Sequence, residues 1–408
     1  MRFWMVSVLA GTLFLGSGAV RAEDWARWRG PRQDGISRET GLIKTWSAEG
    51  PKVVWRKTLP GGYSAVAVAR DRVVTHAREG GEEVVRCLSA RTGDVIWDYR
   101  YPADYEAHPT LDRRFKSGPR STPIVDGDRV YALGTFGVLS CVDFRTGKAV
   151  WSVNLMEFAR RACPEFGYCH SPVILGDRVF VHPGGKDGRS IAAFDKRTGR
   201  LLWSALDDPI GYSSPFVYRQ GAQDQVIHFT AEGLVAVTPD EGKVLWRFAW
   251  KTNFDLNCAT PLAFDNHLFL SSNYGRGCAV IRLDPGKEPT EVYRNLQMHN
   301  HISTSVVYQG HVYGFDTNRL KCMEAATGAV KWEQPGLGRG SLLIADGKLI
   351  VLGERGDLVL AEATPSAYVE TARWKALEGT CWSVPVLANG RLYLRNENTI
   401  LAVEMRDR

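Results

Sequence analysis

Tyr63, Arg120, His170, Tyr212, His299, His301, Arg339 and Trp382 are the side chains whose types and placement could do chemistry. Most of them fall on two adjacent positions of a recurring pattern. The first is filled in order by Tyr63, Arg120, Cys169, Tyr212, Cys258, Ile302, Arg339 and Trp382, and the second by Ser64, Ser121, His170, Ser213, Ala259, Ser303, Gly340 and Ser383. Gathered around one concavity, the two arginines would pair with an anion through their planar forks, and the aromatic faces would stack on a ring. The plainer role for the same groups is to hydrate a channel or satisfy neighbouring carbonyls. His299 and His301, two apart, project to the same side of an extended chain and could begin a metal or acid/base site, with His170 approaching from elsewhere. No third ligand stands near them in sequence. The segment His182-Pro183-Gly184-Gly185-Lys186-Asp187-Gly188 has glycines and an acid suited to wrapping an anion, and equally the composition of an ordinary turn. No serine has the Gly-x-Ser-x-Gly setting of a hydrolase, and no Cys/His group has zinc-site spacing. No catalytic residue is assigned, and no metal.

These positions are set by a repeat. A Ser/Thr-Pro entry, an apolar run, a Gly-Asp-Arg-type turn, a Val-Tyr strand, a further strand and Thr-Gly-x-x-x-Trp recur along the chain. The aromatic landmark falls at Trp97, Trp151, Trp203, Trp246 and Trp332, with Tyr293 and Trp374 in weaker copies, a period of about 46 residues that lies in the range of propeller blades. Each unit holds four turn-separated runs, the pattern of four antiparallel strands. In the second unit these runs are Thr122 to Val125, Arg129 to Gly134, Gly137 to Asp143 and Lys148 to Leu155. A position ahead of each Thr-Gly turn carries Ser89, Asp143, Asp195, Thr238, Asp284, Glu324, Glu362 and Glu404, which counts eight units independently. The last copy ends without its Trp strand, while Gly50-Pro51-Lys52-Val53-Val54-Trp55 resembles the missing piece. The expectation is therefore all-β: an eight-bladed β-propeller of four-stranded antiparallel blades, the last blade closed by the N-terminal strand. Trp55, Trp97, Trp151, Trp203, Trp246, Trp332 and Trp374 are its structural repeat residues.

Composition agrees with that class. The 408 residues include 41 Gly, 19 Pro, 13 Trp and only 6 Met, a turn-rich and aromatic chain that excludes coiled coil and collagen. Residues 1–22 read as a signal peptide, with Arg2, an apolar run from Phe3 through Leu15, and Val20-Arg21-Ala22 as the cleavage site. Glycine, serine and threonine interrupt that run, so no stable membrane span is expected. No cysteine precedes Cys87, which argues against a lipoprotein. The expectation is a soluble exported protein, periplasmic or secreted, and a monomer. Residues 23–50 would be an N-terminal extension packing on a propeller face, with Arg29 pairing a surface acid, and 51–408 the single propeller. Loss of Arg2 and Arg21 lowers the formal charge of +6 by two, and the basic residues form no stripe able to track phosphates, so nucleic acid is not an expected partner. Cys87, Cys141 and Cys322 share one interior strand position and read as buried free thiols, while Cys163 and Cys169 have the spacing to close a short loop.

The segments Asp24-Trp25-Ala26-Arg27-Trp28-Arg29-Gly30-Pro31, Gly118-Pro119-Arg120-Ser121-Thr122-Pro123 and Gly390-Arg391-Leu392-Tyr393-Leu394-Arg395-Asn396, taken with the repeat, resemble the pyrroloquinoline-quinone-repeat β-propellers. That group includes quinoprotein alcohol dehydrogenases and a non-enzymatic outer-membrane assembly scaffold, and the resemblance is closest to exported bacterial propellers without assigned role. The catalytic branch carries two adjacent cysteines beside its cofactor, and this sequence has no Cys-Cys dipeptide. The resemblance thus implies a non-catalytic binding or scaffold propeller, engaging a protein, a glycan or a small anionic ligand at one ring face, with no cofactor expected. The alternative is an oxidoreductase using pyrroloquinoline quinone with calcium, sited around Arg120, His170, Arg339 and Trp382.

Overall fold

The computed structural model describes residues 22–108 and 118–407, so the expected leader, Ala22 apart, lies outside the described residues. Eight sheets follow one another, each built on four antiparallel strands, which in the first seven run in sequence order from the axis outward. In blade 2 they are Ile124–Asp126, Arg129–Leu133, Val138–Asp143 and Ala149–Asn154, each within two residues of the boundaries read from sequence. The outer strand stops at Asn154 because that side chain caps a five-residue helix, Leu155–Ala159. The eighth sheet is Val386–Ala388, Arg391–Arg395, Thr399–Glu404 and, from the other end of the chain, Val53–Thr58. Trp55 faces Ala402 and Thr58 faces Thr399, so the N-terminal strand completes the last blade.

In five blades the repeated Trp fastens one blade to the next. Its indole N–H donates to a backbone carbonyl of the following blade: Trp97 to Phe144, Trp151 to Lys196, Trp203 to Pro239, Trp332 to Thr364 and Trp55 to Ala90, all at 2.8–3.0 Å. Tyr293 does the same through its hydroxyl, to Ala325. Trp246 departs, donating instead to Gln225 of its own blade. The Thr-Gly glycine then has two reasons to be glycine. Gly147 adopts a φ of +72°, and a Cβ there would lie 2.6 Å from the indole of Trp97. In the eighth blade Gly50 takes this place, seated against the ring of Trp374. The acid ahead of the turn closes it: one carboxylate oxygen of Asp143 accepts from both the N–H and the hydroxyl of Thr146.

Residues 24–43 pack on the propeller by reaching across its centre, meeting innermost strands of several blades. Trp25 forms a bridge with Val68 of blade 1, Trp28 donates to Thr260 of blade 5, and Gln33 accepts from the Val217 amide of blade 4. Ile36–Ser37 adds a short parallel strand to Ser341–Ala345 of blade 7, and Ile43 bonds Met405 of blade 8. Arg29 is 5% exposed and donates to the carbonyls of Gln33, Asp34 and Ser305. The surface acid expected as its partner is replaced by main-chain oxygens, because the side chain enters the channel rather than lying on the rim. Burial lowers its pKa to about 10.

All eight cysteines are free. Cys87, Cys141 and Cys322 are fully buried, and burial raises their thiols to about 12, 11 and 11. Cys163 and Cys169 are not joined; their sulfurs face the carbonyls of Thr135 and Phe166.

Candidate functional site

The strand order places two kinds of loop on each face. Links between blades, and hairpins joining second to third strands, share the face where each innermost strand begins; this is the mouth face. Tyr63, Trp382 and Arg120 meet there, with the Tyr63 and Trp382 ring centroids 5.2 Å apart and the Arg120 guanidinium 6.0 Å from the Tyr63 centroid. Trp382 donates to one oxygen of Glu354 at 3.0 Å while the Arg339 amide donates to the other at 3.1 Å, so an acid that sequence reasoning missed ties these two positions together. Tyr212 packs edge-on against Phe166 at 5.3 Å. Burial, and then Glu397, push the Tyr63 hydroxyl well above the usual range, and burial likewise raises Tyr212. Cys163 is raised to about 12, and burial also raises Cys169 and Cys258. These groups stay protonated, which gives stacking and hydrogen bonding rather than nucleophiles.

The histidines separate. His299 bonds Asp316 through Nδ1 at 2.8 Å, and that acid also holds Lys321 at 2.6 Å. His301 instead meets the hydroxyl of Tyr274 at 2.9 Å. His170 lies beneath the mouth in a buried row with His182 and His228, ring centroids 6.3 and 6.0 Å apart. The His170 Nε2 accepts from the His182 amide, placing its proton on Nδ1. The hydroxyl of Ser190 is 3.4 Å from His182 Nε2, but it donates to the Asp208 carbonyl at 2.6 Å, so this Ser–His pair is no nucleophile and base. Among the described residues no group of three or more His, Cys, Asp or Glu is placed to hold a metal ion.

Burial depresses the His170 and His228 pKa values to about 3 and holds that of His182 well below the usual imidazole range; His76, buried beside Glu83, falls to about 4. Above pH 6.5 these rings are neutral whether folded or not. As pH falls from there towards 3 the unfolded chain takes up protons that the folded chain refuses, so stability is lost across that window. Neither nitrogen of His228 has a hydrogen-bond partner. His228→Phe is therefore expected to flatten the fall in stability below pH 6.5 by up to about 1.4 kcal/mol per pH unit, one proton's worth. Urea titrations of both proteins at pH 7 and pH 5 test this; parallel losses in the two would refute it.

A second mouth-face feature faces solvent. Phe254 is 69% exposed and Leu296 62%, with Tyr274 at 40% and Ile302 at 36%. Phe254 packs edge-on against Tyr274 at 5.8 Å, and Tyr274 reaches His301, beside Ile302. Phe254 and Tyr274 both have positive φ, +64° and +58°, a conformation costly for bulky residues and concentrated at functional loops.

The pyrroloquinoline quinone alternative can be tested against these residues. A planar quinone needs a free aromatic face and, for its calcium, a cluster of oxygen ligands. One face of Trp382 is covered by Tyr63, its N–H is committed to Glu354, and the acids of the repeat are engaged in turns. The residues at the mouth do not fit the cofactor.

The family model described as outer membrane protein assembly factor BamB matches residues 33–105 and 81–334. The BamB of Moranella endobia is 22% identical over 258 residues, 59% of this chain and 63% of that protein. Quinoprotein ethanol dehydrogenase of Pseudomonas aeruginosa is 28% identical over 145 residues, 32% of this chain and 22% of that protein. The chain thus spans less than two thirds of the length of these relatives. The solved structure of BamB from Moraxella catarrhalis superposes with a TM-score of 0.64 at 17% identity, over 87% of this chain and all of that one.

Proposed function

Since the chain belongs to the family described as outer membrane protein assembly factor BamB, we propose that it is an exported, non-catalytic docking scaffold whose mouth face holds a protein partner. The observation that carries this reading is the patch of Phe254, Tyr274, Leu296 and Ile302. Large apolar side chains held in solvent on strained loops are unfavourable for a lone monomer, and aromatic anchors are what protein interfaces bury. No helix among the described residues is long and apolar enough to cross a membrane.

The test is site-specific photo-crosslinking from position 254 in intact cells of an expressing host, with cell fractionation alongside. A discrete adduct in an exported fraction is expected, and Leu296→Ser should remove it without changing the melting temperature. No adduct, or one indifferent to Leu296→Ser, counts against docking at this patch. Titration with pyrroloquinoline quinone and calcium addresses the alternative: saturable binding with dye-linked alcohol oxidation would replace the scaffold by an oxidoreductase.

A further inference from the structure

Between blades 2 and 3 the mouth face carries a cleft of about 350 Å³, walled by residues 159–163 on one side and by Gly184, Gly185, Lys186, Asp187 and Arg189 on the other. Its walls are riveted rather than loose. Arg161 donates to the Gly184 carbonyl at 2.9 Å, a Cβ on Gly184 would lie 2.6 Å from that of Ile210, and one on Gly185 would lie 2.5 Å from the Ala159 carbonyl. Four cations line it, Arg160, Arg161, Lys186 and Arg189, against the single carboxylate of Asp187.

Apart from a long ion pair between Arg189 and Asp187, their bonding leaves that charge uncompensated. Arg161 is spent on carbonyls of Gly184 and Ala162, and Lys186 on the carbonyl of Asp207. The Asp207 carboxylate is turned to the Gly188 amide. The Arg189 Nη1 is buried without a hydrogen-bond partner, the Asp187 oxygen being 3.9 Å away. Arg160 is exposed and makes no side-chain hydrogen bond or ion pair among the described residues. Elsewhere arginines sit fork to fork on acids, as Arg86 does on Asp98, Arg219 on Asp224 and Arg373 on Glu370.

From this we infer that the cleft binds a small phosphoryl-bearing anion with two or more negative charges. Guanidinium forks suit such oxygens, and donors converging from two loops surround a tetrahedral group better than a flat carboxylate. The volume lies at the small end of ligand sites, which run from about 300 Å³. The inference is independent of the protein-docking patch on blades 4 to 6.

Calorimetric titration of the full chain with pyrophosphate at low salt is the test, with citrate as the carboxylate comparison. One-to-one saturable binding is expected, weakened about tenfold or more in Arg160→Gln/Arg189→Gln, the loss of charge-assisted bonds. Arg160→Gln/Lys186→Gln, both exposed positions, should behave alike if the first variant folds poorly. Arg145→Gln/Arg197→Gln, which removes the same charge from the opposite face, should bind as the parent does. Co-sedimentation with vesicles of anionic phospholipid separates the sources: capture lost in the cleft variants assigns a lipid headgroup, and its absence alongside pyrophosphate binding assigns a free ligand. Failure of pyrophosphate to saturate, tighter binding of citrate, or equal weakening in the opposite-face variant would overturn the assignment.

Discussion

Deletion of Lys52–Leu59 is expected to turn a closed ring into an aggregating one. Those residues include the whole outer strand of the eighth blade, paired from Val53 to Val403 through Thr58 to Thr399. Without them the strand Thr399–Glu404 becomes an unpaired edge, a template for the same edge of another molecule. Trp55 leaves too, and with it the indole bond to Ala90 of blade 1 and the surface on which Gly93 is seated. The buried Arg395, reaching from blade 8 to the Ser64 and His76 carbonyls of blade 1, would remain as a fastener across the seam, too small an area to replace a strand. Size-exclusion chromatography should show oligomers or loss of soluble protein, and a synthetic peptide covering residues 51–60 should restore part of the monomer by strand addition. A soluble monomer with an unchanged circular dichroism spectrum would refute the closure.

Trp332→Ala should cost about 3–5 kcal/mol, the range for removing a large aromatic side chain from a packed interior. The indole is 9% exposed, packs against Tyr313 and Tyr368, and donates to Thr364 of blade 7 at 2.8 Å. Against a total stability of about 5–15 kcal/mol, that is a large fraction. Trp332→Phe keeps much of the packing and loses the bond between blades, so it should fall between parent and Ala. Denaturant unfolding measures both; a midpoint for Trp332→Ala within error of the parent would mean that the indole does not join the blades.

The ring was legible because its information is written many times. A Thr-Gly turn, an acid ahead of it and an aromatic residue four beyond the glycine mean little once, but their recurrence fixes strand count and closure. Strand ends moved by a residue or two because turn chemistry, not the repeat, decides them, as at Asn154. The route of the N-terminal extension was not legible. Its partners lie far off in sequence, Thr260 for Trp28 and Ser305 for Arg29, and no local pattern encodes a segment that crosses an axis. The alternation of His299 and His301 suggested one shared site, yet Asn300 between them is anchored through its amide to Ser271, and the two rings go to different neighbours. The buried histidines did leave a trace. His76, His182, Ser271 and Arg395 occupy a position at the end of the second strand that the other blades fill with Leu133, Phe229, Phe315 and Leu352. Polar intruders at an apolar position of a repeat mark where neighbouring blades share something other than oil. The cationic cleft left only the glycines and Lys186 of one loop, since its other wall belongs to a different blade.

The N-terminal thread also ties together stretches of chain that lie far apart in sequence. Residues 24–43 precede every blade in the sequence, yet their berth is made of residues from blades 1, 2, 4, 5, 6, 7 and 8, so it exists only in the closed ring. The thread acts as an axle pin: spokes contributed by distant stretches of chain are fastened to one short peptide.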